Sequence, residues 1–255
     1  MRRLLTLLTV LLLFTSLAAA EDTLTLRTAT TVEEAERFLL LPPEDDVIGV
    51  QPGYIRYIAQ VDTRDPAAFR KGYWIGGAEG SMLDLTVKSR NGFDYGFHAG
   101  VMCTRAVYSM ALSCLGIDMS PGRMSEVTGE RNLDEPYDDI SALVGVERVI
   151  PKSRVFNTMM DNYLNDERYS PVYLYIRKPN GTYHALLVVA FMPDSGRYVV
   201  VDSSPYQVNG EPCRVYFISL NKNRTAIINS TFRGELAGSE VLQLYQWRLM
   251  DDADE

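Results

Sequence analysis

The clearest hydrophobic pattern in the chain runs from Cys103 to Leu115. Apolar residues recur there at i, i+3, i+4, i+7, i+8, i+11 and i+12, which places them along one face of an α-helix. Gly116 follows, at the position where a helix commonly ends. Ser120-Pro121 then matches an N-cap and a first helical residue. The sequence therefore predicts one helix that ends at Gly116 and a second from Ser120 to about Val127.

Two further helices are expected on either side of this pair. Residues 31–40 have acidic residues in their first turn, which the helix dipole favours, and Pro42 and Pro43 follow them. Residues 154–165 form the other predicted helix. Between the first helix and the central pair, residues 54–61 have the character of a strand and residues 72–100 are rich in glycine.

Beyond these helices the pattern changes to alternation and short apolar runs. Residues 171–177, 184–191 and 197–202 are predicted strands, separated by turns at 178–181 and 192–196. A further strand is expected at 213–219. Helices followed by an antiparallel meander predict an α+β fold.

The N-terminus has the pattern of a secretory signal peptide. Arg2 and Arg3 precede an apolar run, and Ala18-x-Ala20 forms a small-residue cleavage site. The alternative is a membrane anchor, but the run is shorter than the roughly 18–20 residues that a spanning helix needs. We therefore expect residues 1–20 to be removed on export, which gives a secreted protein.

The remaining 235 residues contain 23 basic and 33 acidic side chains, a formal charge of −10. This acidic balance argues against a nucleic-acid partner. Their length suggests one large domain. We expect residues 21–90 to be an N-terminal extension, either a pro-segment over the site or a part that completes it, and residues 91–250 to be the main domain.

Three cysteines make a poor disulfide framework. Cys103 and Cys114 lie about 16 Å apart along one predicted helix and therefore do not bond each other. Cys213 could pair with either, which would leave one free thiol. Cys103 lies at the helix N-terminus, where unpaired N–H groups and the dipole favour a thiolate, whereas Cys114 lies near the opposite end. The alternative is that both simply fill the apolar stripe.

The mature chain has only two histidines, His98 and His184. His184 opens an apolar strand, and Asp202 closes the strand after it. A turn centred near Asp194 pairs positions whose numbers sum to about 388, so Asp202 faces Leu186 and lies diagonally beside His184. A carboxylate in this place would orient a base that serves a nucleophile. The alternative is a histidine at a strand end and a solvent-facing aspartate.

The order of these features resembles the papain-like C39 and C39-like cysteine peptidases. The resemblance covers roughly residues 95–206 and is carried by the stretches CTRAVYSMALSCLGIDMSPGRMSEVTG (103–129), YHALLVVAF (183–191) and GRYVVVDSSPY (196–206). It implies a papain-like fold, in which the nucleophile begins a helix that packs on an antiparallel sheet. The catalytic Cys, His and Asp of that family fall on Cys103, His184 and Asp202.

The sequence also departs from that family. Thr104 follows the cysteine in place of the usual glycine, and Ser203 follows the aspartate in place of the usual proline. The family's oxyanion-hole glutamine would fall at Phe97. His98 and the backbone N–H of Cys103 are the candidate donors in its place.

These features predict a secreted cysteine peptidase that acts on a peptide or protein through a thioester acyl-enzyme. A binding protein with little or no catalytic activity on the same fold is one alternative, since the glutamine is missing. A cell-wall amidase of the CHAP or NlpC/P60 type is the other. No metal or cofactor is expected, because metal-ligand clusters and phosphate-binding glycine loops are absent from the sequence.

Overall fold

A computed structural model describes residues 24–41, 49–58, 103–119, 121, 124, 137–149, 156–208 and 211–250. The predicted signal peptide lies outside these ranges. So do Phe97 and His98, and most of the helix predicted to begin at Ser120.

Four α-helices occur in the described part of the chain: α1 (Val32–Glu36), α2 (Cys103–Cys114), α3 (Tyr137–Leu143) and α4 (Phe156–Asn165). Helix α1 begins at Thr31, whose hydroxyl accepts a hydrogen bond from the Glu34 backbone N–H. It is shorter than predicted, because the two leucines after it pair as a strand. The sequence pattern did not predict α3.

Nine strands make up two sheets in the described residues. The small sheet pairs β1 and β2 in parallel, and the large antiparallel sheet has the order β3-β9-β4-β5-β6-β7-β8. Few helices and a large antiparallel sheet make this an α+β protein. The strands are β1 (Leu39–Leu40), β2 (Ile55–Arg56), β3 (Val146–Val149), β4 (Val172–Arg177), β5 (Tyr183–Met192), β6 (Arg197–Val208), β7 (Glu211–Leu220), β8 (Ile227–Ser230) and β9 (Glu240–Leu249).

Strands β4 to β7 form the predicted meander, and β3, β8 and β9 extend it. The C-terminal strand β9 lies between β3 and β4. Its residue Trp247 is fully buried and stacks on Tyr108 of α2, with ring centroids 4.0 Å apart. The last strand therefore closes the core around the helix that carries Cys103.

Helices cover both faces of the large sheet. Successive side chains of β5 point to opposite faces of the sheet, so they alternate between two hydrophobic clusters. Ala185, Leu187 and Val189 pack in the cluster that contains α2, whereas Leu186 and Val188 pack in the one that contains α4. Buried from both faces, the strand consists of the continuous apolar run seen in the sequence.

Residues 24–41 and 49–58, the described part of the predicted extension, lie in the same core as α2. Gly53 donates a backbone hydrogen bond of 2.8 Å to the carbonyl of Cys114. The buried side chains that this segment contributes are Leu26, Ala29, Ala35, Phe38, Leu39, Ile55, Tyr57 and Ile58.

None of the helices in the described residues is long and apolar enough to span a membrane.

Candidate active site

Cys103 is the first residue of α2 and borders a pocket. The helix is buried almost all round: of its twelve residues only Thr104 is not buried. The sequence pattern predicted a single apolar stripe, but the small sheet and the N-terminal segment cover the remaining faces. Cys103 itself is 7% exposed. The nucleophile candidate is therefore held on a helix and borders the pocket.

Strands β5 and β6 bring His184 and Asp202 together. Leu187 pairs with Val201 and Val188 with Val200, so the numbers of these pairs sum to 388, as the sequence predicts. A bulge between Val188 and Ala190 shifts the register by one residue nearer the turn. The His184 Nε2 atom lies 2.8 Å from the Asp202 Oδ1 atom.

The sequence predicts that the strand carrying Asp202 ends at that residue. In the structure the strand continues to Val208. Its pairing with β7 is irregular between Val201 and Tyr206, which pair with Val215 and Cys213. Four residues on β6 thus oppose one on β7. Bulges of this kind re-aim side chains and are frequent beside active sites. Asp202 lies within this irregular stretch, between the regular pairs of β6 and β7.

The Asp202 carboxylate is fully buried and accepts hydrogen bonds at both oxygens. In addition to His184, Oδ1 accepts from the Ser204 backbone N–H at 2.8 Å. Oδ2 accepts from the Tyr216 hydroxyl at 2.6 Å and from Nη1 of Arg233 at 2.7 Å. These partners satisfy a charge that would be very costly to bury alone.

The pKa of Asp202 follows from these contacts. Burial by itself raises the pKa, but the charge and hydrogen bond of His184, the charge of Arg233 and the hydrogen bond from Tyr216 lower it to about 2. The Tyr57 hydroxyl also donates to the Asp202 backbone carbonyl at 2.8 Å. Asp202 is therefore an ionised and firmly positioned carboxylate at neutral pH.

His184 is 5% exposed and connects Asp202 to the thiol. Burial lowers its pKa, but the charge and hydrogen bond of Asp202, followed by the hydrogen bond and charge of Cys103, raise it to about 9. Because Nε2 bonds the carboxylate, Nδ1 is the ring nitrogen left for Cys103. The structure thus brings the three predicted residues into one chain of contacts.

The other two cysteines have different surroundings. All three are free thiols. Burial raises the pKa of Cys114 to about 11, against the charge of Arg27 and the hydrogen bond from Gly53. Cys213 is partly buried, and its thiol donates to the Val215 carbonyl at 3.3 Å. Neither of them borders the pocket, within the part of the chain that the structure describes.

The pocket beside Cys103 has a volume of about 720 Å³. Cys103 and His184 both line it, and Asp202 lies behind the imidazole. The described residues around its rim include Thr104, Lys178, Tyr183 and Arg233. This volume is of the size that holds a small ligand or a few residues of a chain.

Sequence reasoning missed the groups that hold Asp202, namely Tyr57, Tyr216 and Arg233. Tyr216 is detectable only once β7 is placed, since it pairs with Val200, two residues before the aspartate. Arg233 and Tyr57 are distant in sequence and carry no local signal. The oxyanion candidate His98 lies outside the described residues.

The fold and site define an α+β protein with a Cys-His-Asp arrangement at a pocket. No protein-family model matches the chain, and a search of curated proteins found no similar sequence.

Proposed function

We propose that this protein is an exported cysteine-dependent hydrolase that cleaves a peptide or related amide bond. The observation that carries the proposal is the contact chain from Cys103 through His184 to the buried Asp202, at the wall of a pocket. Nucleophile, base and orienting carboxylate at hydrogen-bonding distances are the signature of covalent acyl transfer.

In the first half of the reaction the thiolate of Cys103, whose proton has passed to His184, attacks the scissile carbonyl carbon. The C–S bond forms as the carbonyl electrons move to oxygen, which gives a tetrahedral oxyanion. His184, protonated at neutral pH because its pKa is about 9, then donates its Nδ1 proton to the leaving amine as the C–N bond breaks. A thioester acyl-enzyme and a free amine result.

In the second half, water hydrolyses the thioester. The neutral imidazole of His184 accepts a proton from the water as its oxygen bonds the acyl carbon, and the Cys103 thiolate leaves. Asp202 holds the ring through Nε2 and stabilises the imidazolium in both halves. The products are a carboxylic acid and the restored enzyme.

The backbone N–H of Cys103 is one candidate donor for the oxyanion. It belongs to the first turn of α2, where N–H groups have no partner within the helix. His98 is the second candidate from the sequence. One donor less would lower the rate by about 10²- to 10³-fold.

The order of elements supports a papain-like, C39-like protein as the more specific proposal. A cysteine begins a helix, a histidine begins a later strand, and an aspartate follows on the neighbouring strand. The apolar stretch at residues 1–20 supports export.

Chemical labelling tests the nucleophile first. At pH 7, iodoacetamide is expected to label Cys103 and to leave Cys114 unlabelled, because the second thiol is fully enclosed. Mass-spectrometric mapping of both sites reads this out. His184→Gln should slow the labelling of Cys103, and equal labelling of the two cysteines would contradict the proposal.

Cleavage tests the reaction. The purified protein is incubated with a peptide library and, separately, with peptidoglycan, to separate a peptidase from a cell-wall amidase. Cys103→Ala should reduce whichever of these two cleavage activities is detected by about 10⁴-fold or more. Cys114→Ala is the matched control and should keep it. Cleavage that survives Cys103→Ala would overturn the mechanism, and binding without cleavage in the wild type would favour the binding protein.

A further inference from the structure

The pocket differs in charge from the molecule around it. The chain has 33 acidic and 25 basic residues. Among the described residues that line the pocket, however, Lys178, Arg233 and the protonated His184 are cations and none is Asp or Glu. A cleft lined by one sign of charge attracts ligands of the opposite sign.

Arg233 is buried, and two of its three guanidinium nitrogens donate hydrogen bonds to described residues. Its Nη1 donates to Asp202 and, at 2.7 Å, to the Ser204 carbonyl. Its Nε donates to Glu235 at 2.8 Å. Its Nη2 has no hydrogen-bond partner among the described residues. A residue that is 8% exposed and borders the pocket therefore has N–H groups available for an acceptor there.

Glu235, the hydrogen-bond partner of Arg233, shows the effect of these cations on a carboxylate. Its side chain is about half exposed, and burial alone would raise its pKa. The hydrogen bond of Arg233, a hydrogen bond from the backbone of Glu235 itself, and the charges of Arg233 and Lys178 lower the pKa instead. Both cations act on the same carboxylate, and both line the pocket.

We propose that the pocket binds a carboxylate of the substrate between Lys178 and Nη2 of Arg233. This inference rests on the proposed function, because it names the class of substrate that Cys103 attacks. Lys178 supplies a point charge, and Arg233 supplies directional donors that match a carboxylate. The carboxylate belongs either to an acidic side chain or to the C-terminus of a peptide.

Two alkylating reagents of nearly the same shape test the proposal without any need for turnover. Iodoacetate carries a carboxylate, whereas iodoacetamide carries a neutral amide. The ratio of their rates at Cys103 is measured and divided by the same ratio for 2-mercaptoethanol. We expect a normalised ratio of about ten in favour of iodoacetate. This is the low end of the rate increase that electrostatic focusing gives in charged clefts.

Variants that change the charge near the pocket test whether the normalised ratio depends on these cations. Lys178→Glu should lower the normalised ratio about tenfold or more, and Glu235→Gln should raise it, because a competing carboxylate is removed. Lys222→Glu is the matched control, since Lys222 is exposed and borders a different pocket. A normalised ratio that Lys178→Glu leaves unchanged, whether it equals or exceeds one, would overturn the proposal, because the protonated His184 can by itself favour iodoacetate.

The source of the carboxylate is decided by protection of Cys103 from iodoacetamide. The probes are N-acetyl-Ala-Glu-amide, N-acetyl-Ala-Gln-amide and N-acetyl-Ala-Gln with a free C-terminus. Stronger protection by the first probe than by the second indicates an acidic side chain, and stronger protection by the third indicates a terminal carboxylate. Equal protection by all three contradicts the proposal.

The nucleophile and the anionic site can fail separately. A Cys103 that reacts with neither reagent contradicts the nucleophile, and binding of the same probes to Cys103→Ala is then followed through the imidazole NMR signals of His184. A preference for either carboxylate probe there supports the anionic site, and no preference overturns it.

Discussion

Two aspartates of this protein have a pKa of about 2 for different physical reasons. Asp202 is enclosed and is held by His184 and Arg233. Asp166 lies at the surface, where the side-chain and backbone hydrogen bonds of Arg168 lower its pKa. Only burial makes the loss of a charge partner expensive, so similar pKa values do not mean similar contributions to stability.

Asp202→Asn should therefore lower the free energy of unfolding by about 3–5 kcal/mol, because it removes the buried charge partner of Arg233 and leaves only the half-exposed Glu235. Asp166→Asn, the control, should cost about 1 kcal/mol or less. Urea denaturation of both variants measures the difference. Equal losses would mean that the buried network contributes no more than a surface ion pair.

His184 makes the stability depend on pH in the alkaline range. Its pKa is about 9 in the folded protein, above the ordinary 6.5. The bound proton therefore stabilises the fold fully below pH 6.5, and this stabilisation is lost as the pH rises through about 9. We expect the wild type to lose stability across this range relative to His184→Gln.

NMR titration of the His184 ring checks the same point directly. The midpoint should lie near pH 9 in the wild type. Cys103→Ala should lower it, because one hydrogen bond and one negative charge are removed, while Asp202 still supports the proton. A midpoint near 6.5 in the wild type would rule out the proposed imidazolium.

At the scale of elements, the end of helix α2 docks the N-terminal segment. Gly116 has φ +82°, and the N–H groups of Gly116 and Ile117 bond the carbonyls of Ser113 and Leu112. A Cβ at Gly116 would lie 2.9 Å from Cγ of Pro52. The glycine is thus required both by the left-handed turn and by the segment packed against it.

Gly116→Ala is expected to lower the free energy of unfolding by more than the roughly 1–2 kcal/mol that a left-handed backbone costs an L-residue. Gly145→Ala is the matched control. Its φ is +69°, but nothing lies within 4 Å of an added Cβ, so it should show the backbone cost alone. Chemical denaturation of both variants gives the comparison, and equal losses would contradict the docking contact.

At the scale of the whole molecule, the N-terminal segment is built into the domain. Ile55, Tyr57 and Ile58 are each at most 1% exposed. Tyr57 also supports Asp202 from the segment's side. The described part of this segment therefore belongs to the core that it shares with α2.

A chain that begins at residue 91 should therefore not fold, although this boundary opens the main domain predicted from the sequence. Each large apolar side chain removed costs about 1.5–3 kcal/mol, and several such losses equal the whole stability of a typical domain. A chain that begins at residue 21 is the control. Circular dichroism and thermal unfolding compare the two, and a cooperative transition in the shorter chain would contradict this expectation.

The sequence alone predicted the α+β class, the helix that begins at Cys103, the central strands and the register that faces Asp202 toward His184. These are local properties, since periodicity and turn length determine them over a few neighbouring residues. Helix α3 and strands β3, β8 and β9 were not predicted, because short or weakly periodic segments take their structure from their neighbours.

Only the tertiary structure determined what surrounds Cys103, His184 and Asp202. Tyr57, Tyr216 and Arg233 meet Asp202 from three distant parts of the chain, and no local pattern connects them. The pKa values of His184 and Asp202 follow from that enclosure, because burial and partner charges act through space. The sequence determined which residues could react, and the packing of the sheet determined which charges they face.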